Sequence, residues 1–284
     1  MGLSVIVEDL PPLGDADYRF VASLLYERFG IQIGSQKRVL VAGRLAKRVR
    51  QLGLQSFAEY FDFLRADATG NELSEFVNRL TTNHSFFYRE KDHYEFLRRS
   101  VFPGMAQALE RESALKVRMW SAGCAAGEEI YTLAIVMKDF FGGAIDRGDF
   151  ALLGTDISLA ALGAARAGAY AEQKLAELPQ AWRSAYFREA GNGLFEVSSE
   201  LRRMVLFKRL NLMVEPYPFK GSFDVVFCRN VMIYFDQASR SRLIHAFHRC
   251  VRPGGYLFIG HSESIPRSDC PFEYVQPAIY RKGA

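Results

Sequence analysis

The sequence lacks any cysteine pairing pattern. Cys124, Cys228, Cys250 and Cys270 form no C-x-x-C pair and no framework of short spacings. That argues against a disulfide scaffold or a zinc module and for free thiols in a reducing compartment. Long apolar runs are missing too, and none approaches the ~20 residues of a membrane span. The start, MGLSVIVEDLPPLGD, has no basic stretch followed by an apolar one, so no secretory signal is visible. Position 6 carries neither Ser nor Thr, which removes a myristoylation reading. Strong charge of one sign is absent as well. The 36 Lys and Arg nearly balance 32 Asp and Glu, leaving +4 over 284 residues. A nucleic-acid binder would be expected to show clustered basic excess with interleaved aromatics. These absences predict a cytoplasmic protein with no membrane insertion and no nucleic-acid partner.

What is present is apolar content of 49%, enough for one large or two ordinary domains. From Asp17 to about Leu80 the pattern is helical. Tyr18, Val21, Leu24, Leu25 and Phe29 recur at helical spacing, and Gly30 ends that helix. A second helix starts near Ser35, with Leu40, Leu45 and Val49 on one side and Arg44, Lys47, Arg48 and Arg50 around the rest. A third runs through Tyr60, Phe63 and Leu64, and a fourth holds Leu73, Phe76, Val77 and Leu80. A helical stretch from Lys91 to Glu112 is expected to break at Phe102-Pro103. After Ala114, strands alternate with helices: VRMWSAGC, GEEIYTLAIVMKDFF, DFALLGTDIS, LAALGAARAGAY, FDVVFCRN, QASRSRLIHAFHRC with a Pro-Gly-Gly stop, and YLFIGHSE. Such alternation means βαβ units and a parallel sheet. It lapses between Tyr170 and Asn211, where Gly191-Asn192-Gly193 suggests a hairpin in a small insert. The expected division is residues 1–80 as a helical domain, 81–115 as a connecting segment, and 116–284 as an α/β domain with a β insert at about 171–205.

Three motifs carry chemistry. SAGCAAGEE lies where a first strand meets a helix, and its small residues allow close backbone approach to a ligand. Alone it is equally a tight packing turn. Glu128 and Glu129 at a helix start would repel a pyrophosphate and suit a ligand with positive charge, although each also favours the helix dipole. Asp156 ends the second strand, where α/β nucleotide sites hold ribose hydroxyls; an N-cap for the next helix is the alternative. Together these point to a nucleoside with a cationic, non-phosphate tail, for which S-adenosylmethionine fits better than NAD. Asn230 and Tyr234 lie just past the carboxyl end of FDVV, at the ligand-binding edge of an open sheet. For Tyr234 a buried core aromatic is the competing reading. His245, His248 and Cys250 share no helix face and have no fourth ligand nearby, so no metal is expected there or elsewhere.

One further stretch, TTNHSFFYRE at 81–90, fits neither an amphipathic helix nor an alternating strand. Taken with WSAGCAAGEEIYTLA, GTDIS followed by ARAGAY, FKRLNL, FDVVFCRNVMIYFD and RPGGYLFIGHSES, it resembles the CheR-type chemotaxis receptor methyltransferases in order and character. The resemblance covers about Tyr18 to Arg281. GEEIYT stands where GEEPYS is commoner, and His84 and Ser85 stand where the family usually has Glu or Leu and then Thr.

The resemblance implies an α/β, Rossmann-like S-adenosylmethionine methyltransferase domain with a small inserted β-subdomain, preceded by an all-α N-terminal domain. It implies methylation of glutamate side chains on the cytoplasmic helical region of chemoreceptors, giving methyl esters and S-adenosylhomocysteine. By resemblance, Asn83, Ser85 and Arg89 contact the cofactor, with Arg89 close to the transferred methyl. Glu129 binds the methionine part, Asp156 the ribose hydroxyls, and Asn211 with Leu212 lies beside the adenine. Cys228, Arg229 and Asn230 lie near the cofactor and Tyr234 near the reacting centre. Arg44, Lys47, Arg48 and Arg50 would face an acidic receptor surface, largely as steering charge. At least two of Phe86, Phe87 and Tyr88 should be packing residues. The loop REAGNG is about three residues shorter than in members that grip a receptor C-terminal pentapeptide, so no high-affinity tether is expected. The alternatives are the same cofactor used on RNA or a small molecule, and a non-catalytic scaffold that binds cofactor.

Overall fold

The structure, a computed structural model, describes residues 10–81, 85–111 and 115–284. The chain divides into two compact units, Met1–Thr82 and Asn83–Ala284.

The first unit is all helix: α1 (Asp15–Phe29), α2 (Arg38–Gln51), α3 (Phe57–Ala66) and α4 (Asn71–Leu80). Gly30 adopts the left-handed conformation and its N–H caps the carbonyls of Leu25 and Tyr26. Ser56 accepts the Glu59 amide to start α3. Side chains at helical spacing meet in the middle: Val21, Leu25, Leu45, Val49, Tyr60, Phe61, Phe76 and Val77 are all essentially inaccessible. On α2 the buried stripe is Val41, Leu45 and Val49 rather than one that includes Leu40, which is 48% exposed. A step of four residues keeps a stripe on one face, and Leu40 lies one residue off it. Phe63 also points outward.

In the second unit, α5 (Lys91–Phe96) runs through a π-helical turn, Leu97–Val101, into α6 (Phe102–Arg111). The expected break at Pro103 does not occur. The Phe102 amide reaches back to the Leu97 carbonyl, five residues away. The widened turn makes room for the proline ring, so the helix continues. The remaining elements are β1 (Lys116–Ala122), α7 (Glu128–Phe141), β2 (Asp149–Asp156), α8 (Leu159–Ala167), β3 (Ala169–Ala171), α9 (Gln180–Tyr186), β4 (Phe187–Gly191), β5 (Leu194–Val197), α10 (Ser199–Met204), β6 (Val205–Arg209), β7 (Phe223–Cys228), α11 (Gln237–Cys250), β8 (Val251–Ile259), β9 (Glu273–Gln276) and β10 (Ile279–Arg281).

The main sheet has the order β6-β2-β1-β7-β8-β10-β9. The first five strands are parallel, and β10 and β9 add antiparallel. The chain moves outward from β1 through β2 to β6, then returns to β7 on the other side of β1. That reversal opens a crevice at the carboxyl ends of β1 and β7, where open α/β sheets bind ligands. Strand β8 begins directly after α11, and Gly254 takes a positive φ inside it. The Pro-Gly-Gly is therefore part of the strand rather than the helix stop. The small antiparallel sheet β3-β5-β4 includes a hairpin closed by Gly191, Asn192 and Gly193, all at positive φ.

Candidate active site

The loop after β1 is held by the end of β2. The amides of Gly123 and Cys124 both donate to the Thr155 carbonyl, at 2.8 and 2.9 Å. The Ala125 amide donates to Asp156 Oδ2 at 2.9 Å, and the Ser158 amide to Oδ1 at 2.9 Å. Asp156 therefore does not cap α8; Ser158 does, by accepting the Ala161 amide. Asp156 is buried, and burial raises its carboxyl pKa against the lowering effect of these backbone bonds. Gly127, at φ 96°, starts α7. A Cβ there would meet Tyr170 Oη at 2.9 Å and Ala165 Cβ at 3.0 Å, so the backbone itself fills the space.

The two glutamates of the turn have different surroundings. Glu129 Oε1 accepts the Ser121 hydroxyl at 2.6 Å, and Oε2 lies 3.4 Å from Arg229 Nη1. Burial raises its pKa and Arg229 opposes the rise. Glu128 is fully buried; one oxygen pairs with Lys174 Nζ at 2.9 Å and the other has no hydrogen-bond partner among the described residues. Lys174 also donates to the Ser85 carbonyl at 2.5 Å. Neither glutamate is a plain surface charge on a helix end.

Residues 85–90 pack within the second unit. Phe87 is inaccessible, with edge-to-face contacts to Tyr170 and Phe187 at 4.9 and 5.3 Å. Tyr88 packs on Tyr94 and Trp182, and its amide donates to the Thr132 hydroxyl. Tyr88 and Glu90 both take positive φ, at 60° and 56°. Between them Arg89 stays part-exposed, 30% at its side chain, with its Nε 4.0 Å from Glu90 Oε1 and its guanidinium 5.5 Å from the Phe86 ring. Asn83, and His84 beside it, lie outside the described residues.

The end of β7 supplies the central cation. Arg229 is buried, and its donors reach Glu90 Oε2 at 3.1 Å, Tyr94 Oη at 3.1 Å and the Arg89 carbonyl at 2.5 Å. It ties residues 89–94 to the start of α7. Cys228 beside it is fully buried, and its thiol pKa is pushed up by desolvation. Asn230 takes φ 59°, and its amide donates to Glu263 Oε2 at 3.0 Å. Glu263 also accepts the amides of Gly260 and Ile233. Tyr234 ends a short 3₁₀ turn and is half-buried, not a core aromatic. In the loop after β6, Asn211 Oδ1 accepts the Met213 amide and the Leu212 carbonyl accepts the Tyr217 hydroxyl.

Sequence reasoning missed Lys174 and Glu263 as anchors of the site. Glu263 stands in the GHSES segment; Lys174 has no local signal, being an ordinary lysine in a short 3₁₀ turn. The four basic residues of α2 also divide. Arg48 makes two bonds to the buried Glu72, at 3.0 and 2.6 Å, and Glu72 also accepts the Tyr60 hydroxyl at 2.9 Å. Arg44 donates to the carbonyls of Leu80 and Thr81. Lys47 and Arg50 are exposed. On α11, His245 Nδ1 sits 2.9 Å from the Ser241 carbonyl and His248 packs on Phe272.

The strand-end crevice fits S-adenosylmethionine in kind. It offers buried carboxylates to a cationic, hydroxyl-bearing ligand, and Lys174 and Arg229 are committed to protein carboxylates rather than aimed at a phosphate. Comparison with known proteins agrees. Residues 83–280 match the family model described as the CheR methyltransferase, SAM binding domain, and residues 16–81 match the CheR methyltransferase, all-alpha domain. The chain is 38% identical to a chemotaxis protein methyltransferase of Borreliella burgdorferi over 91% of each chain. It is 37% identical to that of Escherichia coli, over 94% of this chain and 91% of the relative. A Pseudomonas aeruginosa chemotaxis protein methyltransferase 2 is 36% identical over 93% and 92%. The chain belongs to the CheR methyltransferase family, and its residues 83–280 form that family's S-adenosylmethionine-binding domain.

Proposed function

We propose that this protein methylates glutamate side chains on the cytoplasmic helical region of chemoreceptors, producing glutamyl methyl esters and S-adenosylhomocysteine. The observation that carries the proposal is the match of both domains to one methyltransferase family, joined to a strand-end site with buried carboxylates and a part-exposed Arg89 beside it.

The cofactor supplies an electrophilic methyl on a sulfonium. The chain's residues bind, orient and exclude water. Glu129 and Asp156 supply negative charge and hydrogen-bond acceptors for the methionine part and the ribose. Ser85, Asn211, Leu212, Cys228 and Asn230 would form the remaining wall; the Asn83 contact expected from the resemblance falls outside the described residues. A glutamate carboxylate is already ionised near pH 7, so no general base is required. Attack neutralises charge, so positioning matters more than stabilising a developing charge. Arg89 aligns the incoming carboxylate through its planar fork, and Tyr234 adds an orienting hydrogen bond. Arg229 acts one step back, holding the backbone of Arg89. Lys47 and Arg50, the exposed members of the α2 set, attract the acidic receptor surface. The short β4–β5 hairpin supports engagement without a tight receptor C-terminal tether. Micromolar calorimetric binding of the isolated tail pentapeptide would disprove that last point.

Incubating the protein with labelled S-adenosylmethionine and a receptor cytoplasmic fragment tests the reaction. Volatile methanol released by mild base is the expected result, whereas base-stable label means another acceptor atom. Arg89→Ala should lower turnover by about 10²-fold while S-adenosylhomocysteine still binds. Wild-type protein that binds the cofactor and transfers no methyl would make it a scaffold.

A further inference from the structure

His93 stands out among the buried polar residues. It is 1% exposed, and neither ring nitrogen has a hydrogen-bond partner among the described residues. Leaving a buried imidazole unpaired costs free energy, so an unmet partner is the question it raises. Its Nδ1 lies 3.6 Å from Glu90 Oε2, and its ring centroid lies 4.7 Å from that of His261, almost perpendicular to it. One ligand atom each from Glu90, His93 and His261 falls within 4.8 Å of the others. Asp92 Oδ2 is 3.9 Å from His261 Nε2 and exposed, available as a fourth donor.

We propose that Glu90, His93 and His261, completed by Asp92, form a binding site for a divalent cation of the zinc and cobalt class. Two imidazoles with carboxylate oxygens select borderline metals over calcium or magnesium. Ligands at about 2.0–2.1 Å around a tetrahedral ion stand roughly 3.4 Å apart, so Glu90, His93 and His261 have to close by up to about 1.4 Å and Asp92 has to swing in toward them. His261, 41% exposed at its side chain, and Asp92, 72% exposed, have room to make that move. Glu90 already contacts Arg229, but a carboxylate has about four acceptor positions and can serve both partners. The His261 amide donates to Glu90 Oε1 at 3.3 Å, so the backbone after β8 is already drawn to this segment. Metal bound here would staple the loop after β8 to residues 90–93. The spacing hides the site from sequence inspection, since its third ligand lies 168 positions beyond the second along the chain.

Titration of untagged full-length protein, stripped with EDTA, by Co²⁺ under absorption spectroscopy is the test. Saturation at one equivalent with visible d–d bands is expected in wild type. His261→Ala and Asp92→Asn should bind about tenfold or more weakly, while His248→Ala, on α11, keeps the wild-type titration. Circular dichroism and a denaturation midpoint on each variant establish that it is folded; the exposed positions of His261 and Asp92 make that the expected outcome. Zn²⁺ should displace the cobalt signal and raise the wild-type unfolding temperature, with a smaller rise in His261→Ala. Absence of a one-equivalent site, or one that binds as tightly in His261→Ala as in wild type, overturns the proposal.

Discussion

Arg229 shows what a single buried charge contributes at the residue scale. Its guanidinium is held by Glu90, Glu129, Tyr94 and the Arg89 carbonyl. Removing one partner of such a set strands the others, so Arg229→Met should destabilise the protein by about 3–5 kcal/mol in urea denaturation. An unchanged midpoint would mean the network is slack. In the first unit, Glu72→Gln should cost about 1.5–3 kcal/mol, because both Arg48 and Tyr60 bond that carboxylate. A pH effect follows from Glu129 and Asp156, whose pKa values burial raises. Raised folded values mean that each contributes stability at low pH that is lost as pH rises through them. A cationic ligand favours the ionised forms, so its binding should release protons in that window. Affinity for S-adenosylmethionine is expected to rise with pH above the ordinary carboxylate range and then level off, as calorimetry in buffers of different ionisation heat would read. Pairings such as Arg229 with Glu90, 139 positions apart, leave no trace in local sequence. The place of Asp156 at the end of β2 was legible, because the apolar run of that strand stops there.

Elements were legible where one periodic pattern met one stop signal. α1 with Gly30, and β7 with its six buried residues, are of this kind. The sequence misled where two rules competed. Pro103 ordinarily breaks a helix, but a π turn just before it removes the conflict, and nothing in the residue pattern announces that turn. Two glycines separate these cases experimentally. Gly104 lies exposed inside α6, and a Cβ there would meet nothing within 4 Å. Gly104→Ala should therefore stabilise the protein by about 0.5–1 kcal/mol, seen as a higher denaturation midpoint. Gly127→Ala should do the opposite. Its φ of 96° and the 3.0 Å approach to Ala165 Cβ force the loop before α7 to shift. Weaker S-adenosylhomocysteine binding together with a lower midpoint is expected. Unchanged affinity would remove that loop from the cofactor site.

At the scale of the whole molecule, net charge explains little and its placement explains more. A balance of 36 basic against 32 acidic residues gives a weak overall field. Under the proposed function, attraction to an acidic receptor would come from local charge, and on α2 only Lys47 and Arg50 of the four candidates are exposed. Exposed charges act mainly on the rate of encounter and are screened over about 8–10 Å at ordinary ionic strength. The rate of receptor methylation at limiting receptor should therefore fall as salt is raised. A Lys47→Glu, Arg50→Glu double variant should start slower and lose much of that salt dependence. Its unfolding midpoint should move little, since surface substitutions away from packed features usually fall within about 0.5 kcal/mol. S-adenosylhomocysteine affinity should stay the same, because Lys47 and Arg50 lie outside residues 83–280, the S-adenosylmethionine-binding domain. If the double variant methylates at the wild-type rate with the wild-type salt slope, receptor capture belongs to another surface, and Arg44 and Arg48 with their internal bonds are not the replacement.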